Sequence, residues 1–328
     1  MTHPRPVRWG ISSTGFIAGE FARAIREDQG SALVAVASRT AERARAFAAV
    51  HGAGAHYTSI ADLARAREID AVYIASPTSA HFADAYSCLQ AGKAVLVEKP
   101  LAATLDAVGE LVDAAREFDA FLMEAVWPRF LPSYGRLRAL LDANAVGRVR
   151  AVEASLGFSL PERAPTGTPT RQYQPALGGG SLLELGVYPI QLVHLALGAP
   201  TAAAAVAQWS ATGVDRAAQL FFDCEPGTAA VEVSISSELD NTALLVGADG
   251  VIALDAPFHA AQQITVMTSG RPTETHADPI EGHYLGYQLR HVNRCLRAGL
   301  TESPLMTLEE SMSIAATLST AAAGLRRD

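Results

Sequence analysis

Along the first part of the chain, apolar residues occur in two kinds of spacing. Short apolar runs, which predict strands, are separated by stretches with apolar residues at helical spacing. The predicted strands cover residues 7–10, 33–38, 70–76, 94–98 and 121–124. The predicted helices lie around 17–25, 41–49, 61–66, 80–91 and 104–118. Because strands such as 33–37 are apolar on both faces, the pattern predicts a doubly wound parallel sheet covered by helices.

The pattern of apolar residues changes after the segment Trp127-Pro128-Arg129. A helix is predicted at 134–142, a strand at 149–158, a loop rich in proline and glycine at 161–180, and a helix at 182–197. Further strands are predicted at 204–211, 217–222, 228–236, 242–247, 251–254 and 263–268, and helices at 284–298 and 308–325. Hairpin signals at Pro226-Gly227 and Asp249-Gly250 favour antiparallel pairing. This part is expected to be an α+β domain with a large open, mostly antiparallel sheet.

Length and composition agree with two globular domains. The chain has 328 residues, 49% of them hydrophobic and 18% charged, and a single core rarely grows beyond about 250–300 residues. We therefore predict an α/β protein with an N-terminal Rossmann domain, residues 1–125, and a C-terminal α+β domain, residues 126–328. The final helices could pack back on the first domain.

Charge and cysteine content narrow the class of partner. The 26 basic and 34 acidic residues give a net charge of −8, which disfavours nucleic acid and anionic membranes and leaves a small molecule as the expected partner. Cys88, Cys224 and Cys295 lie far apart, so no metal site and no disulfide framework is predicted. Because the chain has no apolar run of about 18 residues and residues 1–6 lack a signal-peptide core, we expect a cytoplasmic protein without a membrane span.

The segment that opens the first predicted helix is typical of a dinucleotide-binding loop. It matches the GxGxxG fingerprint, with Ser12 in place of the middle glycine. Gly10 allows a tight turn, and Gly15 lets the positive end of the helix approach a pyrophosphate. The residues expected at the cofactor are Gly10, Ser12, Thr14, Gly15, Phe16 and Ile17. The alternative is an ordinary strand-to-helix turn, which the βαβ context disfavours.

The end of the second predicted strand distinguishes NADP from NAD. Sites for NAD usually carry a carboxylate there, whereas a basic residue accommodates the 2′-phosphate of NADP. Here the chain has Ser38, Arg39 and Thr40, with Arg43 one helical turn later. Arg39 could stack on adenine and pair with the phosphate, so we expect NADP, with NAD as the second choice. The alternative is a helix start with two solvated arginines.

Two further segments follow strands at the edge where open α/β sheets bind ligands. Ser76, Pro77, Thr78 and His81 follow the predicted strand 70–76, and Glu98-Lys99-Pro100 follows the predicted strand 94–98. A lysine in a cleft there could move a proton during hydride transfer. The alternatives are a surface salt bridge for the lysine loop and a simple helix N-terminal position for His81.

Taken together, these motifs resemble the glucose-fructose oxidoreductase / inositol dehydrogenase (Gfo/Idh/MocA) family. Five segments carry the resemblance, in this order: residues 8–18, Ser76-Pro77-Thr78 with His81, Glu98-Lys99-Pro100, residues 124–130 and residues 178–188. The last two are most similar to the branch that contains dimeric dihydrodiol dehydrogenases and NADP-dependent xylose dehydrogenases. The resemblance covers nearly the whole chain.

The resemblance implies roles for individual residues. The residues that it places at the cofactor are Ser76, Pro77, Thr78, His81, Glu98 and Lys99. Lys99 matches the family's active-site lysine, and Tyr188 matches the tyrosine that serves as acid or base in this branch. Glu184 stands where the family usually has an aspartate, four residues before this tyrosine; alternatively, it only caps or salt-bridges its helix. The residues implied at the substrate are Trp127, Arg129, Arg171 and Tyr188, although core packing is the competing interpretation for Trp127. His259, His276 and His283 lack ligand spacing and are expected at the surface.

The leading hypothesis is an NADP-dependent oxidoreductase that acts on a sugar, a polyol or a cyclic trans-diol, with Lys99 and Tyr188 handling the proton. A second hypothesis is an NADP-binding sensor or scaffold with weak or no turnover, which the change to Glu184 favours. A methyltransferase is disfavoured by Arg39, where such enzymes expect an acidic residue. The resemblance also implies a homodimer through the C-terminal sheet, or a tetramer.

Overall fold

The computed structural model describes residues 5–325; residues 1–4, part of the segment predicted to lack a signal-peptide core, lie outside the described part. The described chain divides into two compact units. The first comprises the residues up to Phe130 together with Glu281–Met312, and the second comprises Leu131–Ile280 and the residues from Ser313 onward. Within 5–325, no single helix is both long and apolar enough to cross a membrane, while one bent pair, Pro175–Leu185 with Val187–Leu197, passes on length and composition alone.

A parallel sheet forms the centre of the first unit. Its strands are β1 (Val7–Ser12), β2 (Ser31–Ala37), β3 (Ala55–Tyr57), β4 (Ala71–Ile74), β5 (Ala94–Glu98) and β6 (Leu122–Ala125). They are ordered β3-β2-β1-β4-β5-β6, and neighbouring strands run parallel. The chain reverses its direction of winding between β1 and β4, which is where doubly wound sheets bind ligands. The predicted parallel sheet is therefore confirmed.

Helices connect these strands, and several of them begin at a hydroxyl side chain. The helices are α1 (Phe16–Glu27), α2 (Ala41–His51), α3 (Ile60–Arg65), α4 (Thr78–Gln90) and α5 (Leu105–Glu117). The hydroxyls of Thr40, Ser59 and Thr104 accept backbone N–H groups in the first turns of α2, α3 and α5. Such caps satisfy donors that a helix start would leave without partners. Local sequence thus sets where these three helices begin.

Aromatic packing between α1 and the sheet forms part of the first unit's core. Trp9 and Phe21 meet edge to face with ring centroids 5.2 Å apart, and Phe21 stacks on Tyr73 at 3.9 Å. All three side chains are fully buried. Because Trp9 and Tyr73 lie on β1 and β4, this packing fixes α1 against the two strands that flank the ligand-binding point.

The second unit is built on a mixed sheet. After α6 (Pro132–Asp142) come β7 (Val149–Gly157), α7 (Ser181–Leu185), α8 (Val187–Leu197), β8 (Ala202–Trp209), β9 (Asp215–Cys224), β10 (Gly227–Ser234), β11 (Ala243–Gly247), β12 (Gly250–Leu254), β13 (Gln263–Thr268) and β14 (Glu274–Ala277). The strand order is β14-β13-β12-β11-β7-β10-β9-β8. Only the β7–β10 pair among these described strands runs parallel, so the predicted mostly antiparallel sheet is confirmed. Two helices follow, α9 (Gly286–Arg297) in the first unit and α10 (Leu308–Gly324).

One face of this sheet is buried and the other is open. Along β9, Leu220 and Phe222 are buried, whereas Phe221 between them is 52% exposed. Val206 on the neighbouring β8 is also exposed. Helix α8 packs on β7 and β10, so the buried side chains have a partner layer. The exposed row leaves an apolar strip on the other face.

Two features differ from the sequence prediction. The single helix predicted at 182–197 is broken at Gly186 into α7 and α8, because Pro189 has no N–H to donate to the carbonyl four residues earlier. The strands β3 and β14 were not predicted. Both are short edge strands with polar residues, such as His56 and Glu274, so apolar periodicity carried no signal for them.

Candidate active site

The loop before α1 has the geometry of an anion-binding helix start. Gly15 is the N-cap of α1 with an extended conformation, and no side chain among residues 5–325 caps this helix. Ser13 adopts φ 84°, the left-handed region, which turns the chain from β1 into the helix. The first N–H groups of α1 therefore point to a place that a phosphate could fill. Phe16, the first residue of α1, is 80% exposed beside it.

Close packing explains the glycine at position 10. A methyl group there would lie 3.0 Å from Ile69 Cδ1 and 3.3 Å from Leu63 Cδ1. The predicted position of the turn is wrong: Gly10 lies inside β1 and Ser12 is its last residue, so the chain turns at Ser13 and enters the helix at Gly15. Ser12 is buried, and its hydroxyl donates to Asp84 Oδ2 at 3.1 Å. Asp84 lies on α4, and sequence analysis did not single it out because nothing in its local pattern marks it.

Two arginines follow β2 at the edge of the sheet. Arg39 and Arg43 are exposed, and neither forms an ion pair within the described part of the chain. The Thr40 hydroxyl accepts the Arg43 N–H at 3.4 Å, so it caps α2, and Ser38 next to it is half-buried. Two free guanidinium groups at this place fit the chemistry of a phosphate on the adenosine ribose.

The loop after β5 is held by buried side chains. The Lys99-Pro100 peptide bond is cis, and Lys99 is half-buried. The Tyr73 hydroxyl donates to Glu98 Oε1 directly before the lysine. His81 is 1% exposed, with Nδ1 2.9 Å from the Pro100 carbonyl oxygen and Nε2 2.9 Å from that of Ser76. His81 thus joins the loop after β4 to the loop after β5, and its contact with a cofactor stays a prediction.

A buried carboxyl lies behind the lysine loop. Glu124, at the end of β6, is 2% exposed and accepts the Leu101 N–H at 3.1 Å. Its burial raises its pKa to about 7 from an ordinary 4.5, although the Ser311 hydroxyl, the Leu101 N–H and the positive charges of Arg129 and Lys99 oppose this shift. The loop that carries Lys99 is therefore anchored to a carboxyl whose pKa lies near neutrality.

Trp127 and Arg129 are buried in the short helical turn Trp127–Phe130. The Trp127 ring meets Tyr284 edge to face at a centroid distance of 4.8 Å. Arg129 forms an ion pair with Glu310 and donates to the Leu305 carbonyl at 3.4 Å. Arg129 is 2% exposed, so its guanidinium is buried against Glu310 of α10 and the segment before that helix. Contact of either residue with substrate stays a prediction.

The three consecutive glycines of the second unit lie against a carboxylate. Asp215, at the start of β9, accepts the Ser181 hydroxyl and the Leu182 N–H, both at 2.7 Å. Gly180 has φ 122°, and a methyl group there would overlap Asp215 Oδ1. Burial raises the pKa of Asp215, while these hydrogen bonds oppose the shift. Asp215 on β9 therefore caps α7. The sequence gives no sign of this contact between a strand and a distant helix.

Glu184 and Tyr188 lie on either side of the break between α7 and α8. Glu184 Oε1 and Oε2 accept from Arg171 Nη2 at 2.7 and 2.8 Å. The longer side chain at this position thus reaches a guanidinium in the glycine-rich loop. Tyr188 is 8% exposed, and its ring lies 5.1 Å from that of His259.

Three residues were missed or misplaced from the sequence. Tyr284 was not considered, because only tertiary contact brings it to Trp127. The expected surface position is wrong for His283, whose side chain is 10% exposed and lies 3.2 Å from Glu20 Oε2. It is also wrong for His259, which is half-buried against Tyr188. Burial lowers the pKa of His283, so it is mostly neutral.

No group of three or more histidine, cysteine or acidic side chains between residues 5 and 325 could hold a metal ion. All three cysteines are buried and free.

Comparison with known proteins gives matches over nearly the whole chain. Residues 7–125 match the family described as "Oxidoreductase family, NAD-binding Rossmann fold", and residues 134–253 match the "GFO/IDH/MocA C-terminal domain". Trans-1,2-dihydrobenzene-1,2-diol dehydrogenases of Xenopus laevis and Danio rerio are 35% and 36% identical, each over 94% of both chains. A 3-ketoreductase from Actinomadura kijaniata, solved with NADP and TDP-benzene, superposes with a TM-score of 0.87 at 25% identity over 98% of both chains.

Proposed function

Because this chain belongs to the Gfo/Idh/MocA oxidoreductase family and is an NAD(P)-dependent dehydrogenase, we propose that it uses NADP to oxidise a cyclic trans-diol, a sugar or a polyol. Among these three substrates, the similarity to trans-1,2-dihydrobenzene-1,2-diol dehydrogenases favours the trans-diol. The partner is accordingly a small molecule rather than a nucleic acid or a membrane, in keeping with the net charge of −8.

One observation carries the choice of NADP. After β2 the chain has two exposed arginines, Arg39 and Arg43, without ion-pair partners among residues 5–325, and its first carboxylate there is Glu42. A 2′-phosphate would pair with these guanidinium groups, whereas the ribose hydroxyls of NAD would find no carboxylate before α2. The uncapped start of α1, formed by Thr14, Gly15, Phe16 and Ile17, would bind the pyrophosphate.

Proton transfer is assigned to Lys99 and Tyr188. NADP, when bound, supplies the hydride acceptor. The substrate hydroxyl would lose its proton through Tyr188 or Lys99 as its carbon gives up the hydride. Glu124 and Glu98 support this assignment of Lys99, since they hold the loop on which it lies.

Substrate recognition is assigned to four further side chains. Arg171 and Glu184 form a pair in which each fixes the other, so they could present fixed polar groups to substrate hydroxyls. Trp127 offers an aromatic wall that is held by Tyr284. Arg129 is proposed to orient this wall, because its charge is already paired with Glu310.

The proposal extends to assembly, domains and cell compartment. The open face of the second unit's sheet, with Phe221 and Val206 exposed, is suited to a homodimer interface, and a tetramer would need a further surface. The cofactor domain is proposed to comprise residues 1–125 and the substrate domain 126–328, although Glu281–Met312 of the latter belong to the first compact unit. The three free cysteines favour a reducing, cytoplasmic location.

A substrate panel tests the reaction. The protein is mixed with NADP or NAD and with cyclic trans-diols, aldoses and polyols, and reduced nicotinamide is followed by absorbance. We expect turnover with a trans-diol and a preference for NADP, and Arg39→Ala should weaken NADP binding far more than NAD binding. Arg45→Ala, on an exposed arginine of α2, is the matched control. NADP binding without turnover on any substrate would support the sensor hypothesis instead.

Variants test the two proton-handling residues. Lys99→Met and Tyr188→Phe should each lower kcat by at least about 100-fold while the Kd for NADP is largely kept, because each variant removes a proton carrier. Tyr173→Phe is the control for loss of a buried hydroxyl, since that group donates to the Ile235 carbonyl at 3.0 Å. Unchanged kcat in both variants would remove the assigned roles.

A further inference from the structure

The carboxyl that anchors the lysine loop can change its charge without leaving its place. Glu124 is 2% exposed, and its Oε1 accepts the N–H of Leu101, two residues after Lys99, at 3.1 Å. Its Oε2 forms no hydrogen bond of ordinary geometry with the described part of the chain. A proton can therefore bind to Oε2 or leave it while Oε1 keeps its contact with the loop.

Three other side chains act on this carboxyl, and each comes from a different element. Lys99 lies on the loop after β5, Arg129 on the turn after β6, and the buried Ser311 hydroxyl on α10; all three favour the ionised carboxylate. Desolvation outweighs them and raises the pKa of Glu124 to about 7. A charge on Glu124 acts on Lys99 as well as on Arg129, whose own ion-pair partner is Glu310.

We propose that Glu124 is a positioning residue for Lys99: its Oε1 fixes the backbone of the lysine loop, and ionisation of the carboxyl weakens the action of Lys99 in proton transfer. The inference rests on the proposed function, because it concerns the role given to Lys99. A carboxylate in a desolvated place stabilises a nearby ammonium, so Lys99 exchanges its proton less readily and stabilises a developing negative charge on the substrate less strongly. Turnover therefore falls as Glu124 ionises.

The ratio of the kcat of Glu124→Gln to that of the natural protein tests the effect of this charge. Both full-length proteins are assayed with saturating NADP and a cyclic trans-diol. The glutamine oxygen still accepts the Leu101 N–H, but the side chain stays neutral. The pH dependence of the remaining chemistry cancels in the ratio. We expect the ratio to rise at least about threefold between about pH 6 and about pH 8.5, with its midpoint near the pKa of Glu124.

The shape of this ratio separates the proposal from a merely structural role. A ratio that stays flat or falls with pH overturns the proposal. Asp70→Asn is the matched control, since Asp70 precedes β4, at the edge of the parallel sheet opposite to Lys99, and pairs with Arg8 at 2.7 Å. Its ratio should stay flat. If it rises as the ratio of Glu124→Gln does, the effect is one of charge in general, and the proposal is overturned.

A second variant tests the contact made by Oε1. Glu124→Leu removes the acceptor of the Leu101 N–H together with the charge, so its kcat should lie at least about fivefold below that of Glu124→Gln at every pH. Equal kcat values for the two variants overturn the positioning of the loop. If the leucine variant does not fold, the pH dependence of the Glu124→Gln ratio still decides. A natural protein without turnover contradicts the proposed function, whereas turnover with a flat ratio overturns only this inference.

Discussion

The two helices that follow glycine-rich segments in this protein begin in opposite ways. At α1 the N-cap is Gly15, and no side chain among the described residues caps the helix. At α7 the N-cap is Gly180, yet Asp215 from β9 accepts both the Leu182 N–H and the Ser181 hydroxyl. The first helix start leaves its positive end to an external anion, whereas the second already has an internal one.

This difference shows that a glycine-rich helix start is not by itself an anion site. Both segments bring backbone close to a neighbouring group, and both read alike along the sequence. What separates them is a carboxylate contributed by a residue 33 positions away from the Leu182 N–H that it binds. An anionic ligand can bind the free N–H groups at the start of α1. At α7 a backbone N–H of the first turn is already hydrogen-bonded to Asp215.

The largest expected effect comes from closing the space at the second helix start. Gly180→Ala should destabilise the protein by about 4 kcal/mol, because φ 122° is strained for alanine and the methyl group would displace Asp215 from its two hydrogen bonds. Denaturant unfolding measures this change.

The matched variant at the first helix start is Gly15→Ala. Gly15 has φ −77°, and the nearest atom to an added methyl group is Ser13 Oγ at 3.8 Å. We expect a loss of less than about 0.5 kcal/mol. Similar losses for the two alanine variants would contradict the contrast between the helix starts.

A second prediction uses a buried carboxyl that caps no helix. The pKa of Glu124 is about 7 in the folded protein against an ordinary 4.5, so its protonated form favours folding. That contribution is complete below about pH 4.5 and is lost as the pH rises to about 7, at a cost of roughly 3 kcal/mol. Glu124→Gln, which stays neutral, should show a flatter profile of Tm between pH 5 and 8. Parallel profiles for the two proteins would show that burial of this carboxyl is not what sets the pH dependence.

A third prediction converts the first helix start into a copy of the second. Gly15→Asp places a carboxylate at the N-cap of α1, where the extended backbone accepts it. The free energy of unfolding should change by only a few tenths of a kcal/mol, while the affinity for NADP should fall at least 100-fold, about 2.7 kcal/mol, because the new charge occupies the anion site. Calorimetric titration measures the loss.

Gly15→Asn is the control for this change. The amide has the shape and capping ability of the carboxylate without its charge, so it should weaken NADP much less. If the aspartate and asparagine variants bind NADP equally well, charge at the start of α1 is not what admits the cofactor.

The fold could be predicted in outline because its signals are local. Apolar strands between amphipathic helices predicted the parallel sheet, and hydroxyl residues such as Thr40 and Ser59 marked helix starts that the structure confirms. The break between α7 and α8 was missed although its cause, Pro189, is visible in the sequence. The polar edge strands β3 and β14 were missed because pairing with a neighbour, rather than burial, forms them.

The candidate site was predictable only where its residues form a contiguous motif. Lys99, Gly15 and Arg39 could be singled out because a strand end and a helix start place them at the ligand edge. Asp84, Asp215 and Tyr284 carry no such mark, since each acts through a residue far away in the chain. The assignment of Arg129 was also drawn from a motif, and only the fold reveals its ion pair with Glu310.

The sequence by itself determined the order of strands and helices, the two glycine-rich helix starts and the basic end of β2. These follow from propensity and periodicity, which act over a few residues. Only the tertiary structure decided which helix start stays open, where the Ser12 hydroxyl goes and which carboxyls are buried enough to hold a proton. Those outcomes depend on neighbours brought together by packing, and desolvation at such a contact is a property of the fold rather than of any segment.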